Sequence, residues 1–397
     1  MTERVLIAGA GPVGLVAAAH LVRRGIPVTV FEASADLSEE SRASTFHPST
    51  LDMLAELGAA DDLIKQGLTA PKFQYRSKRD GVIAEFDFAA IGDLTAHPYR
   101  VQAEQFKLTR ILHAQLANVP EFHIAFASRV EGVTQDARGV SVRISYNGGV
   151  TEHRGAWLIG ADGARSEVRR ALGIEFEGFT WPERFLVVST PFEFAGVIPQ
   201  LASVSYVADP ERWHFLLRIP ALWRVMFPIA PEVPDAMALE HDYAQAALAS
   251  VVPGIANYEI AHMTLYRVHQ RVAKTYRVGR VFLAGDAAHI NNPLGGMGMN
   301  GGIHDAVNLT GRLTRAIAGH AADDELDRYD RQRRLVTLEY VQTQSIRNKQ
   351  NLEAREEKER DRFRDELRRI AADPALTRDY LLRVSMIASL KRAAELG

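Results

Sequence analysis

Three glycine-rich stretches hold this chain's most informative side chains: GAGPVG (Gly9 to Gly14), GADGARSEVRRALGI (Gly160 to Ile174) and RVFLAGDAAHINNPLGGMGMNGG (Arg280 to Gly302). Residues of these types bind rather than break bonds. In the first stretch Gly9 permits a tight turn and Gly11 lets the backbone approach a pyrophosphate. Pro12 and Val13 stand with them among the expected cofactor-binding residues, and Gly14 lets the following helix pack closely on the preceding strand. Glu32 then stands where a carboxylate is needed to accept from a ribose hydroxyl. The chemistry indicated is capture of a dinucleotide.

The elements that must position these groups follow from hydrophobic patterning. Val5 to Ala8 suits a buried parallel strand, Leu15 to Arg24 a helix stopped by Gly25, and Val28 to Phe31 a second strand ending at Glu32. The helix start supplies free N–H groups and partial positive charge for phosphates. Ala33 to Ser44 reads as a loop, Ser49 to Gly58 as a short amphipathic helix and Gln102 to Ala117 as another helix. Phe122 to Trp157 reads as short strands with a turn at Asn147, Gly148 and Gly149, and Trp157 to Gly160 as a strand returning to the nucleotide domain. From Glu175 to His269 short strands are broken by Pro191, Pro199, Pro210, Pro220, Pro228, Pro231 and Pro234, which suits an antiparallel sheet. The chain re-enters the nucleotide domain at Arg280 and closes with helices, the last dense in charge from Glu353 to Arg369 and read as a solvated face. The expected division is residues 1–174 for the first part of the nucleotide domain, 175–270 for a substrate lobe, 271–340 for the second part and 341–397 for C-terminal helices.

Composition narrows the function classes. The formal net charge is −2, with both signs interspersed, so nucleic acid is not an expected partner. The cysteine count is 0, which removes disulfides, thiolate metal sites and cysteine nucleophiles and fits a cytoplasmic setting. The apolar run Val5 to Val22 follows Arg4 as a signal peptide would, yet it carries the nucleotide motif, and Arg23 and Arg24 replace a small-residue cleavage site. No integral membrane segment is expected. His262 with His269, and His289 with His304, lack metal-site spacing, so no metal is expected. These histidines read as core or loop residues, with His289 and His47 kept as possible walls of a pocket.

Taken together in this order, the three stretches resemble those of the class A flavoprotein aromatic hydroxylases, the family of 4-hydroxybenzoate and phenol hydroxylases. The resemblance spans nearly the whole chain. It implies an α/β fold: a Rossmann-like FAD-binding domain of the 4-hydroxybenzoate hydroxylase type, with an inserted antiparallel-sheet substrate domain and C-terminal helices. It also implies non-covalent FAD. Asp162 and Gly163, completed by Ser166 and Arg169, match the Asp-Gly pair near the FAD pyrophosphate. Asp286 matches the carboxylate that bonds the ribityl chain, and Pro293 the proline lining the reactive flavin face. Gly298, Met299 and Asn300 match the backbone that meets the flavin's pyrimidine edge, where helix N–H groups near Gly302 would stabilise the charge of the reduced ring. Arg42 matches a pyrophosphate arginine and Gln105 a ribityl-contacting glutamine. In the substrate lobe YVADP places Tyr206 as the phenol-contacting tyrosine. LLRIPALWRVMFPI places Arg218 on a substrate carboxylate and Arg224 near the flavin. Tyr206 reads alternatively as a cross-strand packing residue and Arg218 as an exposed strand charge, and Leu216 and Leu217 stand where that hydroxylase has polar residues, a departure that speaks against a benzoate.

The activity implied is FAD-dependent monooxygenation. NADH or NADPH reduces the flavin, O2 adds to give a flavin hydroperoxide, and an activated aromatic ring, phenolic or heteroaromatic, is hydroxylated. No second glycine-rich unit exists for NAD(P)H, so the nicotinamide is expected to dock transiently, in a monomer or homodimer. A halogenase, for which the string WxWxIP is missing, a reductase on the same scaffold, and a non-catalytic FAD and aromatic-ligand-binding protein remain the alternatives.

Overall fold

The computed structural model describes residues 4–40, 43–146, 148–209, 212–320, 323–354 and 356–396. Asn147 of the expected turn lies outside them, while Gly148 has φ +79° and Tyr146 pairs with Gly149 across the hairpin.

Val5–Ala8 is buried at every position, as four consecutive apolar residues in a sheet covered on both faces should be. The sheet runs, in spatial order, Arg277–Val278, Val281–Leu283, Trp157–Gly160, Val5–Ala8, Val28–Phe31 and Phe122–Ala125. It is parallel except at its Arg277–Val278 edge. Each glycine-rich stretch therefore leaves the carboxyl end of one of three adjacent parallel strands, and topology alone gathers them at one rim. The first helix spans Pro12–Val22 and ends ahead of Gly25, whose φ of +72° no longer suits a helix. The helix expected from Gln102 covers Gln105–Leu116, because Arg100–Gln102 is a strand paired with Thr45–Phe46 and Leu68–Ala70.

The second layer is an eight-stranded sheet in the order His289–Ile290, His262–Ala273, Phe176–Thr190, Trp223–Ile229, His214–Arg218, Val204–Val207, Lys72–Ser77 and Gly81–Asp87. It is antiparallel apart from Val204–Val207 beside Lys72–Ser77. The hairpin from Lys72 to Asp87, which the division at residue 174 assigns to the nucleotide domain, thus belongs to the substrate sheet. Strand pairing over so long a separation leaves no local sequence trace. One face presents a row of Tyr75, Tyr206, Phe215, Met226 and Val187 in register. The other carries Leu216, Val225 and Val188 against Ala244, Ala247 and Leu248 of the helix His241–Val251, an element not anticipated inside the lobe.

The charge-dense helix, Glu357–Ala372, is followed by Pro374–Val384 and Ile387–Glu395, so it is not the last. It is also more than a solvated face. Leu367 is buried, and the Phe363 ring meets Tyr75 edge-on with centroids 5.6 Å apart.

The long helix Met297–Ile317 begins at Met297 rather than near Gly302. Its second and third turns are tethered by buried polar groups. His304 Nε2 faces the hydroxyls of Ser49 and Thr50 at 3.3 and 3.1 Å. Asp305 accepts from the Gly285 N–H at 3.1 Å, pairs with His289 at 2.8 Å and takes the Arg333 Nε at 2.7 Å. Burial alone would raise the Asp305 carboxyl, but Arg333 and His289 more than offset it and hold it below the usual carboxylate value.

Burial keeps His304 and His214 neutral, with pKa values lowered from 6.5 to about 3 and about 4. The unfolded chain binds protons that these imidazoles refuse in the folded state, so their contribution is complete above pH 6.5 and drains away as pH falls toward 4. We expect these two imidazoles to take up about two protons on unfolding in that window, their share lowering stability by up to about 2.7 kcal/mol per pH unit, and His20 and His47, also lowered by burial, to add to it. Denaturant unfolding of the protein at a series of pH values checks this; a flat profile between pH 6 and 4 would contradict it.

Candidate active site

At the parallel rim, the first stretch is built to admit a ligand's phosphates. A Cβ on Gly14 would fall 2.0 Å from the Gly9 carbonyl oxygen, so the helix can sit this close to the turn only with glycine. Gly9 has φ +99°, and a Cβ there would lie 2.5 Å from the Ala161 oxygen. At Gly11 a Cβ would meet nothing within 4 Å. The helix start at Gly11 has no side-chain cap and carries Pro12 in its first turn, which leaves the N–H groups of Val13 and Gly14 for an outside acceptor. Glu32 is held by the N–H groups of Ala10 and Ser34, each at 2.8 Å. A carboxylate has lone pairs beyond those two bonds for a ribose hydroxyl.

The second stretch supplies an unsatisfied acceptor. Asp162 Oδ2 accepts from the N–H groups of Glu167 and Val168 at 2.8 and 3.1 Å, while its Oδ1 is buried without a protein partner. Burial pushes this carboxyl above its usual value. Gly163, with φ +79°, has open space where a Cβ would stand. Ser166 caps the short helix Glu167–Ala171 by accepting from the Arg169 N–H. Arg169 reaches from here to the third stretch, donating to the carbonyls of Ala164 and Ala287 at 2.8 Å each.

In the third stretch Asp286 sits in a single turn, Gly285–Ala287, with its side chain exposed. Pro293 is exposed between two buried anchors. The Gln270 Oε1 accepts from the Asn292 N–H at 3.1 Å, and the Leu294 N–H donates back to Asn292 Oδ1 at 3.1 Å. The chain then enters the long helix through Gly295 (φ +106°) and Gly296 (φ +65°). That helix start is uncapped, so the N–H groups of Met297, Gly298 and Met299 point outward. The Asn300 side chain does not share this role. It accepts from the His47 N–H at 3.0 Å and donates to the carbonyls of Thr45 and Gly296 at 2.8 and 2.6 Å, tying the helix start to the neighbouring strand. Gln105 meets Ala43 in both directions, at 3.1 and 3.3 Å. Arg42, one residue away, lies outside the described residues. These features fit FAD: a glycine turn with room at Gly11, an orphaned buried carboxylate oxygen on Asp162, and two uncapped helix starts.

Tyr206 is 3% exposed and stacks between Tyr75 and Phe215, with centroids 5.0 and 4.6 Å away. Its hydroxyl meets the Arg100 guanidinium and the Gly295 backbone, so the substrate sheet touches the loop that presents Pro293. Burial raises the Tyr206 hydroxyl pKa, that of Tyr75 well above its ordinary value, and that of Tyr380 to about 12. His47 Nε2 lies 2.8 Å from the Gly295 carbonyl; burial and then the Arg100 charge hold its imidazole neutral. His289 belongs to the Asp305 network and is a core residue, not a pocket wall. Arg224 is on the Tyr206 face and donates to the Ser44 hydroxyl, linking the sheet to the segment beside Arg42.

Arg218 departs from its expected place. Tyr206 pairs with Phe215, so Phe215 and Leu217 share its face, whereas Arg218 pairs with Trp223 on the opposite one. Its guanidinium lies 3.0 Å from Glu193 and over the Trp223 ring. A contact with a substrate beside Tyr206 would require a one-residue slip of the strand. The side chain that does reach Tyr206 is Arg100, which the motifs did not mark. Only the short alternating string YRVQ hints that it sits on a strand.

The FAD binding domain family profile matches residues 2–344. Among curated proteins the chain is 33% identical over 385 residues to a para-nitrophenol 4-monooxygenase of Pseudomonas sp. (strain WBC-3), covering 96% of this chain and 94% of that protein. It is 35% identical over 355 residues to the 6-hydroxy-3-succinoylpyridine 3-monooxygenase HspB of Pseudomonas putida (strain DSM 28022 / S16), covering 89% of each. Among solved structures, the p-nitrophenol 4-monooxygenase PnpA from Pseudomonas putida DLL-E4 superposes with a TM-score of 0.91 at 30% identity, over 98% of both chains.

The two glycines make separable predictions. Gly14→Ala should destabilise the protein by about 1–3 kcal/mol through overpacking, whatever the cofactor. Gly11→Ala should leave the stability of the cofactor-free protein within about 0.5 kcal/mol of wild type and weaken FAD retention, because its methyl group enters ligand space. Denaturant unfolding without cofactor and FAD titration of both variants check this; equal effects of the two substitutions would refute it.

Proposed function

The chain belongs to the class A flavoprotein aromatic hydroxylases and is an FAD-dependent monooxygenase using NAD(P)H and O2; on that premise we propose that it hydroxylates a one-ring phenol or hydroxyl-bearing heteroaromatic compound held between Tyr206 and the Pro293–Gly295 turn. The observation that carries this reading is the contact between the Tyr206 hydroxyl and the Gly295 backbone. It brings the in-register aromatic row to the turn beside which the flavin would lie. The substrates of two relatives support the size class, since para-nitrophenol and 6-hydroxy-3-succinoylpyridine are both single hydroxyl-bearing rings.

The N–H groups of Gly11, Val13 and Gly14 would hold the pyrophosphate of FAD, Asp162 would accept from a ligand hydroxyl beside it, Glu32 would take the ribose, and Gln105 and Asp286 the ribityl chain. The uncapped N–H groups of Gly298 and Met299 would meet the ring's pyrimidine edge. Bound there, FAD supplies the electron transfer from NAD(P)H and the activation of O2. The protein's own residues orient and desolvate. Tyr75, Tyr206 and Phe215 form a stacked aromatic row, Tyr380 of the C-terminal helices donates to the Tyr75 hydroxyl at its end, and Pro293 would face the ring from the flavin side. The Tyr206 hydroxyl would bond the substrate's ring oxygen and keep electron density on the ring. Arg224 would steady the segment beside the pyrophosphate. The need for a nicotinamide nucleotide supports a cytoplasmic setting.

With FAD bound, NADH and NADPH consumption should rise on adding the right phenol, with one oxygen atom of the product derived from O2. Tyr206→Phe should keep normal FAD content, slow hydroxylation by one to two orders of magnitude (about 1.4–2.8 kcal/mol of transition-state stabilisation) and divert reducing equivalents to hydrogen peroxide. Oxygen-18 labelling and peroxide assays check both. Wild-type rate and coupling in Tyr206→Phe would return this residue to a packing role, and absence of FAD uptake would sink the whole reading.

A further inference from the structure

Among the described residues six arginines are buried, and five have substantial acceptors. Arg76 donates to the carbonyls of Pro199 and Gln200, Arg169 to those of Ala164 and Ala287, and Arg224 to the Ser44 hydroxyl. Arg312 pairs with Glu325 and Arg333 with Asp305. Arg100 differs. It is 2% exposed, and its Nε has no hydrogen-bond partner. Among the described residues no carboxylate pairs with it, and the Tyr206 hydroxyl is its polar contact. Its guanidinium otherwise lies over the faces of Phe73 and Phe88, 4.6 and 5.2 Å from their centroids. Aromatic faces attract a cation without neutralising it, and a buried charge without a counter-charge is unfavourable. The other ionisable groups facing Arg100 are Tyr75, Tyr206, Tyr380 and His47. The three tyrosines stay protonated and His47 stays neutral, so none supplies the missing anion.

We propose that Arg100 is the anion-binding residue of the substrate pocket and that it selects phenols bound as phenolates, the ring oxygen lying where the Tyr206 hydroxyl and the Arg100 guanidinium meet. This rests on the reading that an aromatic ring occupies the space between Tyr206 and the Pro293 turn. The guanidinium presents five fixed donors, more than the Tyr206 hydroxyl can use, and a phenolate oxygen can accept from both. The substrate class is thereby narrowed to rings whose hydroxyl is acidified by electron-withdrawing substituents and is already anionic near neutral pH.

The test uses the FAD-loaded protein without nicotinamide, so that nothing turns over. Para-nitrophenol, whose anion has its own absorption band, is compared with its methyl ether, 4-nitroanisole, which has the same ring and cannot ionise. Wild type should bind nitrophenol more tightly than the ether and hold it as the anion at a pH where free nitrophenol is mostly protonated. Arg100→Met should weaken nitrophenol binding by roughly 10- to 100-fold, abolish the anion signature and leave ether binding within about two-fold, while Arg100→Lys recovers part of the loss. Equal binding of the two ligands by wild type, or retention of the anion band in a FAD-replete Arg100→Met, would overturn the role of Arg100. Failure of wild type to bind either ligand would overturn the pocket reading beneath it. If Arg100→Met does not fold, the wild-type comparison and the pH at which bound nitrophenol protonates still decide the matter.

Discussion

A buried carboxylate, Asp305, fixes where the long helix can stand. An uncapped helix start is useful to an anionic ring edge only if something other than its own first turn holds it in place, since its N–H groups must stay available. Asp305 does this from more than one turn away, binding the Gly285 N–H of the third glycine-rich stretch, His289 beyond that turn and Arg333 on the following helix. Removing it would leave Arg333 buried without its counter-charge, a loss of the order of 3–5 kcal/mol. The turn carrying Asp286, the loop carrying Pro293 and the helix start thus share one anchor, and glycines set the distances between them. A Cβ on Gly302 would fall 2.6 Å from Val13, and one on Gly285 2.8 Å from the same side chain, so Val13 of the first stretch wedges into the third.

The second constraint is strand parity. Because the Val204–Val207 strand pairs with Lys72–Ser77 on one side and His214–Arg218 on the other, alternate residues of three strands must share a face. That puts Tyr75, Tyr206 and Phe215 in one stacked row and sends Arg218 to the opposite face, with Glu193. The arginine that meets Tyr206 comes instead from Arg100–Gln102, a strand of the small three-stranded sheet with Thr45–Phe46 and Leu68–Ala70. On the reading proposed above, recognition of the substrate is shared between this sheet and the small one that carries Arg100.

What was legible in the sequence follows the range of the interactions concerned. The Gly9–Gly14 turn, the strands Val5–Ala8, Val28–Phe31 and Trp157–Gly160, and the open position at Gly11 were readable because a handful of consecutive residues determines each. The family resemblance marked Tyr206, Pro293 and Asp286 through strings longer than a turn. Arg100 and Asp305 carry no local signature, since each matters only through partners that the fold brings from elsewhere, Asp305 from as far as Arg333 and Arg100 from Tyr206. Arg218 differs for another reason: string similarity carries no strand parity, and the two-residue alternation from Tyr206 through Phe215 sends Arg218 to the opposite face.

The hairpin from Lys72 to Asp87 limits how modular the substrate lobe is. A continuous segment of residues 175–270 looks like a unit that could be exchanged between scaffolds to alter substrate choice. Yet the aromatic stack at Tyr206 needs Tyr75, which reaches the sheet from about a hundred residues before that segment begins. Transplanted alone, the segment would carry Tyr206 with one stacking neighbour missing and an unpaired strand edge exposed where Lys72–Ser77 had been, an edge prone to pairing with other chains. Variation of substrate range on this architecture therefore has to proceed by substitution in place, with the hairpin and the lobe changing together.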